Sequence, residues 1–337
     1  MSDDALNRLT DLLRLAKAKG ADAADAAMTD GEAVSLAVRK GALEKLERAE
    51  GAELGLRVFV GRRAAMVSTS DLSAASLDAL AERAVAMAKV MPEDPYAGLA
   101  DPGQLFGGEL PDCDLCDAED PSDESLIAAA HRAEDAAVAV RGVVNSEGAE
   151  AAFSRSSIAI AASNGFARGY SSSHSSISVS VLAGGADGLE RDYDSAVAVY
   201  RSDLPDPEAL GRNAGERAVA RVGATKPKST TVPVIFDPRV SRSLLGHLIG
   251  AINGASVARG TSFLGDKLGE MVFAPGIFIV EDPHLARGLR SRPVDAEGLE
   301  THRRNLVDGG RLTTWLLDLR SARQLALDPT GHAARGI

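Results

Sequence analysis

Apolar positions along the chain change period several times, and each change marks an element. Leu6, Leu9, Leu12, Leu13 and Ala16 recur at spacings of three and four, which predicts an amphipathic helix near the start. Alternation then takes over in Ala33–Val38, Glu53–Val60 and Ala64–Thr69, the period of strands in an antiparallel meander. Helical spacing returns from about Ser73 to Val90, and Pro92, Pro95 and Gly98 end it. A third helix is expected after Asp120-Pro121, with Asp120 as its cap, ending near Val140. Long alternating segments follow. They are joined by the hairpin pair Asn164-Gly165 and by the Gly184–Gly188 loop. Asp206-Pro207 opens another helix, to about Val222, before the linker Gly223–Thr230. Beyond it the pattern predicts a short apolar strand, Val232–Phe236, and a long helix capped by Asp237-Pro238 running to about Val257. A strand at Ile277–Val280 and a hairpin at Asp308-Gly309-Gly310 complete it, with Leu306, Leu312, Trp315 and Leu317 as core residues.

Strands and helices cluster rather than alternate, so the fold class is α+β rather than a doubly wound sheet. The linkers suggest three regions: 1–110 and 111–225, both α/β in content with antiparallel strands, and a β-rich 226–337. Charge separates them. The first has 13 Lys/Arg against 18 Asp/Glu, the second 9 against 19, and the third 15 against 11, so a mildly basic module follows two acidic ones. The formal charge of the whole chain is −11, which disfavours binding a phosphate backbone, and aromatics at 4% are too few for base-stacking platforms. No run approaches the roughly 20 apolar residues of a membrane span. The start, Met1-Ser2-Asp3-Asp4, lacks the basic opening of a signal peptide. A cytoplasmic protein with no nucleic-acid or membrane partner is the expectation.

Common catalytic signatures are missing: the Gly-x-Ser-x-Gly elbow, a phosphate loop, a dinucleotide fingerprint and a His-Glu-x-x-His helix. Cys113-Asp-Leu-Cys116 lies among seven Asp/Glu between Asp112 and Glu124, where negative neighbours raise a thiol pKa, and it reads as a solvated acidic connection. His131, Glu134 and Asp135 share one side of a helix, a spacing suited to a metal or to an exposed ion-pairing face. Ser171–Ser180 around His174 alternates like a half-exposed strand. Arg287, Arg290, Arg292, Arg303 and Arg304 could grip carboxylates or phosphates. Pairing with the acidic second region, or with another subunit, is the favoured reading. The most telling pattern is in the helix after Asp237. Leu244, Leu245, Leu248, Ile249 and Ile252 form one stripe, and Gly246, Gly250 and Gly254 form another. Each glycine costs a helix about 1 kcal/mol relative to alanine. Three of them imply close packing against a neighbouring backbone or a bend.

From this helix onward the sequence resembles the TldD/PmbA family, specifically its PmbA (TldE) branch. The resemblance is carried by Leu244–Gly254, Ala258-Arg259-Gly-Thr-Ser-Phe-Leu264, Gly288-Leu-Arg290-Ser-Arg292-Pro293, Leu306–Leu317 and Thr330-Gly-His-Ala-Ala-Arg-Gly336. It implies a bacterial metallopeptidase system in which a TldD-type subunit carries a His-Glu-x-x-x-His helix and pairs with a TldE-type subunit to cleave unfolded or extended peptides. In this sequence the motif positions hold Gly246, His247 and Ala251. Zinc ligands are His, Cys or carboxylate, so Gly246 and Ala251 cannot serve, and a lone His247 is insufficient. The implied chain is inactive alone and binds no cofactor, with zinc in the TldD-type partner; homodimerisation is the other pairing. Arg259, Arg287, Arg290 and Arg292 are candidates for substrate or partner binding. The competing reading, from the family's label as modulator of DNA gyrase, is a regulatory protein that binds gyrase or another protein target. Family members continue well past the Thr330–Gly336 segment, so the third region is expected to be incomplete.

Overall fold

The computed structural model describes residues 3–185 and 188–336. Six strands form one antiparallel sheet in the order β3-β2-β1-β4-β5-β6. They are β1 (Ala23–Arg39), β2 (Ala42–Val60), β3 (Arg63–Thr69), β4 (Val143–Ala162), β5 (Ala167–Gly185) and β6 (Gly188–Ala198). β1 pairs with β4 from Asp25↔Ala162 to Val38↔Ala149, so the sheet runs without interruption through both acidic regions. Asn164-Gly165 makes the β4–β5 turn, with Gly165 at φ +100°. The loop expected at Gly184–Gly188 lies partly outside the described residues.

Strand alternation decides what covers each face. On β1, Ala24, Ala26 and Met28 pack with α1 (Asp3–Ala18) and α2 (Ala74–Val90), while Val34, Leu36 and Val38 pack with α3 (Asp123–Val138) and α4 (Pro207–Arg221). All six are even-numbered, so both helix pairs lie on one face of the sheet, at opposite ends of its long strands. The odd-numbered Ala27 joins Ile160, Phe166 and Val294 in a core on the other face, where the C-terminal region docks. The α3–α4 contact is unusually close. A Cβ on Gly211 would meet Ala133 O at 2.1 Å, and one on Gly215 would meet Val140 at 2.6 Å and Ala137 O at 2.8 Å.

Two helix starts differ from expectation. Ser122, rather than Asp120, caps α3, its hydroxyl accepting from Ser125 N at 3.2 Å, so Asp120-Pro121 only leads into the helix. The long helix after Asp237 is two. α5 (Pro238–Ala251) ends at Ile252, and Asn253 caps α6 (Gly254–Ala258) by accepting from Ala255 N and Ser256 N. The segment 232–236 forms no strand, because no strand lies beside it among the described residues. Val232, Val234, Ile235 and Phe236 are all exposed. A small sheet, β7 (Ile279–Glu281), β8 (Arg304–Asp308) and β9 (Arg311–Leu312), packs with α5, α6 and α7 (Leu319–Leu325). Its core holds Leu306, Leu312, Trp315 and Leu317, all buried.

Candidate functional site

α5 begins at Asp237, whose carboxylate accepts from Arg239 N, and Pro238 fixes its first turn. Arg239 ties this end to β6, donating to Asp192 Oδ1 at 2.9 Å and to Tyr193 O at 3.1 Å. The far end sinks into the C-terminal core through Leu248, Ala251 and Ile252. Between these anchors the helix is bare. Val240, Leu244, Leu245 and Ile249 are each 46–53% exposed. The apolar stripe is thus wider than the core it touches. A side-chain Cβ at Gly246 or Gly250 would meet nothing within 4 Å. Close packing holds only at Gly254, where a Cβ would lie 2.5 Å from Ser321 Oγ and 2.9 Å from Leu316 O. Of the close packing or bend that the glycine stripe implied, close packing is therefore corrected at Gly246 and Gly250, which open onto a free surface, while the helix does break at Ile252-Asn253, between Gly250 and Gly254. Phe263, Phe273 and Phe278 add to the exposed apolar area of this region.

The positions that a metal motif would use lie on this bare stretch. Gly246 and Ala251 have no donor atom, Ala251 is buried, and His247 is exposed with no side-chain hydrogen bond among the described residues. The donor set does not fit a zinc ion. Among the described residues no three His, Cys, Asp or Glu side chains are grouped to hold a metal.

The arginines divide by role. Arg287 joins the acidic strap 112–117 to the C-terminal region: Nε donates to Asp114 Oδ2 at 2.7 Å, Nη1 reaches Asp203 at 3.2 Å, and the guanidinium lies 3.7 Å from the Tyr200 ring centre. Arg292 donates to Ala333 O and Gly331 O. Arg303 and Arg304 pair loosely with Asp282 and Glu281. Arg259 and Arg290 are exposed and have no ion-pair partner among the described residues.

The other sequence features prove more ordered than their spacing suggested. Cys113 is buried, and burial together with Asp112 and Asp282 pushes its thiol pKa up. The strap around it is not a solvated connection. Asp117 is buried, its carboxylate accepting from Glu119 N and Arg201 N, and its own N–H donates to Ser173 Oγ. Glu134 belongs to no exposed ion-pairing face either. It is 1% exposed and accepts from Lys40 N, Gly41 N and Ser146 Oγ, which anchors the β1–β2 turn to α3. Burial alone would raise its pKa, but these three donors hold it below the ordinary glutamate value.

A polar corner escaped the sequence reading altogether. His332 Nδ1 lies 2.8 Å from Thr330 Oγ1 and its Nε2 lies 2.7 Å from Glu281 Oε2, while His284 Nε2 contacts Thr301 Oγ1 at 2.9 Å. The order hydroxyl–imidazole–carboxylate suits proton transfer. Here the Thr330 hydroxyl also accepts from Leu317 N at 2.7 Å and faces Trp315 O and Leu317 O, so it serves as a staple for the loop. The single His332 of Thr330–Gly336 has no ligand spacing to another His or carboxylate that could have signalled it.

Three family models match the chain in order: PmbA/TldA metallopeptidase domain 1 over residues 24–88, the central domain over 116–222 and the C-terminal domain over 229–337. The chain is 37% identical to Metalloprotease PmbA of Escherichia coli O157:H7, across 95% of its own length and 71% of the relative's. It is 35% identical to the Haemophilus influenzae homolog, across 94% and 70%. A crystal structure described as a modulator of DNA gyrase from Bacteroides thetaiotaomicron superposes with a TM-score of 0.93 at 25% identity, covering 99% of this chain and 76% of that one. TldE from Thermococcus kodakarensis shares the fold, with a TM-score of 0.83 at 19% identity over 96% and 73%. No helix among the described residues is long and apolar enough to cross a membrane. With all three domain models matched in sequence order, the chain belongs to the PmbA/TldD metallopeptidase family.

Proposed function

We propose that this chain is the non-catalytic, TldE/PmbA-type subunit of a metallopeptidase acting on unfolded or extended peptides, with a TldD-type partner supplying zinc and the general base. The observation that carries this reading is α5: a helix at the position of the family's metal motif whose residues 246, 247 and 251 offer one imidazole and two donorless positions. A metal-bound water needs about three protein ligands to be held and activated, and one exposed His cannot do that. The bare apolar face of α5 supports a role in pairing. Val240, Leu244, Leu245 and Ile249 are the kind of residues that a subunit interface buries at its centre. Arg259 and Arg290, unpaired among the described residues, are the arginines available to a substrate or partner carboxylate, whereas Arg287 and Arg292 already hold neighbouring loops.

Reconstitution tests the proposal. Mixed with a TldD-type subunit, the chain is expected to co-elute as one complex and to raise cleavage of an unfolded polypeptide well above that of either subunit alone. Cleavage by this chain alone, or no association with the TldD-type subunit, would contradict it. Capture of gyrase subunits in place of a TldD-type protein would favour a regulatory role, the reading that the gyrase-modulator description of the Bacteroides neighbour brings to mind.

A further inference from the structure

Away from α5, on the helix-covered face of the large sheet, α3 extends past the start of α4 and leaves a cavity of about 820 Å³. Ligand sites of small molecules typically enclose roughly 300–1,000 Å³ with an apolar lining and few polar groups. The floor here is apolar, from Leu126, Ala129, Ala151 and Ile177. Into that floor β5 places Ser175, 1% exposed, whose hydroxyl has no hydrogen-bond partner among the described residues. Its neighbour on the same face, Ser173, is equally buried but fully used: it donates to Val199 O at 3.0 Å and accepts from Asp117 N at 2.7 Å. Buried hydroxyls are normally paired, so the unpaired one facing a cavity points to an atom that enters it.

The rim carries charge of both signs, and among its cations Arg201 is the one with free donors. Arg132 is neutralised by Asp206 at 2.6 Å and Glu208 at 3.2 Å. The Asp117 carboxylate is occupied by two backbone N–H groups and fixes the rim by joining residues 117–119 to Arg201 N. Arg201 donates through Nη1 to Ser125 Oγ at 3.0 Å and forms no carboxylate pair among the described residues. Glu119 also lines the rim and is exposed. The site therefore offers an apolar chamber, one buried hydroxyl and one guanidinium with free donors.

We propose that this cavity binds a small carboxylate with an apolar body, the carboxylate on Arg201 and a polar atom of the ligand on Ser175. The shared chemistry could come from a free acyl amino acid or from the apolar C-terminal residue of a peptide. The proposal is independent of the subunit role of α5, since none of its residues lies in the C-terminal region.

Calorimetric titration of the whole chain with N-acetyl-leucine and with its amide tests it. The acid is expected to bind, the amide at least about 10-fold more weakly, because a charge-assisted bond to Arg201 is lost. Arg201→Gln keeps the backbone N–H that Asp117 needs and is expected to lose the same factor. Ser175→Ala is expected to weaken binding severalfold while preserving the thermal midpoint, since its hydroxyl holds nothing in the free protein. A second pair, Ala-Ala-Leu with a free or amidated C-terminus, separates the sources: a preference for the free tripeptide over N-acetyl-leucine assigns the site to peptide ends, and equal affinity assigns it to free carboxylates. No binding at millimolar acid, equal binding of acid and amide, or an unchanged affinity in Arg201→Gln would overturn the proposal.

Discussion

Glu297, from the C-terminal region, lies 3.6 Å from Arg57 on β2, across the face of the sheet opposite the helices. The same arginine grips the buried Asp25 at 2.5 Å, and Arg335 reaches Asp25 from the other side, so two chain segments far apart in sequence share one buried charge cluster. On β1 the odd positions Asp25 and Ala27 face this docked region, while Ala24, Ala26, Met28, Val34, Leu36 and Val38 face the helices, which is how one strand serves two layers.

Burial pushes Glu297 up to about 7 from the ordinary 4.5, against the pull of the Leu319 N–H and Arg57. The folded protein therefore binds more protons than the unfolded chain between those values. Its stability is expected to fall as pH rises from about 4.5 to about 7, by at most about 3 kcal/mol from this group. Urea titrations across that window should show the slope, and Glu297→Gln should flatten it. Asp295, also pushed up by burial, will leave part of it in place. An unchanged slope in Glu297→Gln would refute the assignment.

Glu134 titrates with the opposite sign. Its depressed pKa makes its contribution present at neutral pH and lost as pH falls through the acid range. Glu134→Ala leaves Lys40 N, Gly41 N and Ser146 Oγ without their acceptor and is expected to cost about 2–4 kcal/mol at pH 7. Chemical denaturation measures it, and a loss under about 0.5 kcal/mol would count against the anchor.

The glycines of α4 and α5 should respond in opposite directions. Gly211→Ala drives a methyl into Ala133 O and is expected to destabilise by more than about 2 kcal/mol. Gly246→Ala and Gly250→Ala enter open space and should each stabilise the isolated chain by about 1 kcal/mol. Thermal melts of the three variants decide it.

If the bare face of α5 pairs with another subunit, Leu245→Asp and Ile249→Asp should leave the melting temperature of the free chain nearly unchanged, within about 0.5 kcal/mol. Both should abolish co-elution with a TldD-type subunit. Association that survives both substitutions would move the interface elsewhere.

Local signals were legible in the sequence where local physics decides. The Asp206-Pro207 start of α4, the Asn164-Gly165 turn, and the burial of Leu306, Leu312, Trp315 and Leu317 follow from capping, turn chemistry and period. What stayed hidden depends on long-range partners. Val232–Phe236 has the composition of a strand, yet a strand needs a neighbour to hydrogen-bond. Glu134 resembles any helix-surface acid until the β1–β2 turn arrives 93 residues away in sequence. The stripe of α5 did mark the unusual helix, but spacing cannot distinguish a glycine that admits a backbone from one that faces open space. Gly211 and Gly215, the closely packed pair, have the same four-residue spacing as Gly246 and Gly250, which face open space. Ser175 and Arg201 meet at one cavity only because β5 and the turn after β6 converge on the start of α3.

The subunit role rests most directly on whether α5 holds a metal. Elemental analysis of the purified chain after incubation with zinc and desalting, read beside peptide cleavage by the same sample, tests it in one measurement. Zinc well below one ion per chain and no cleavage without a TldD-type subunit are the expected results. One tightly bound zinc per chain with partner-independent cleavage would contradict it.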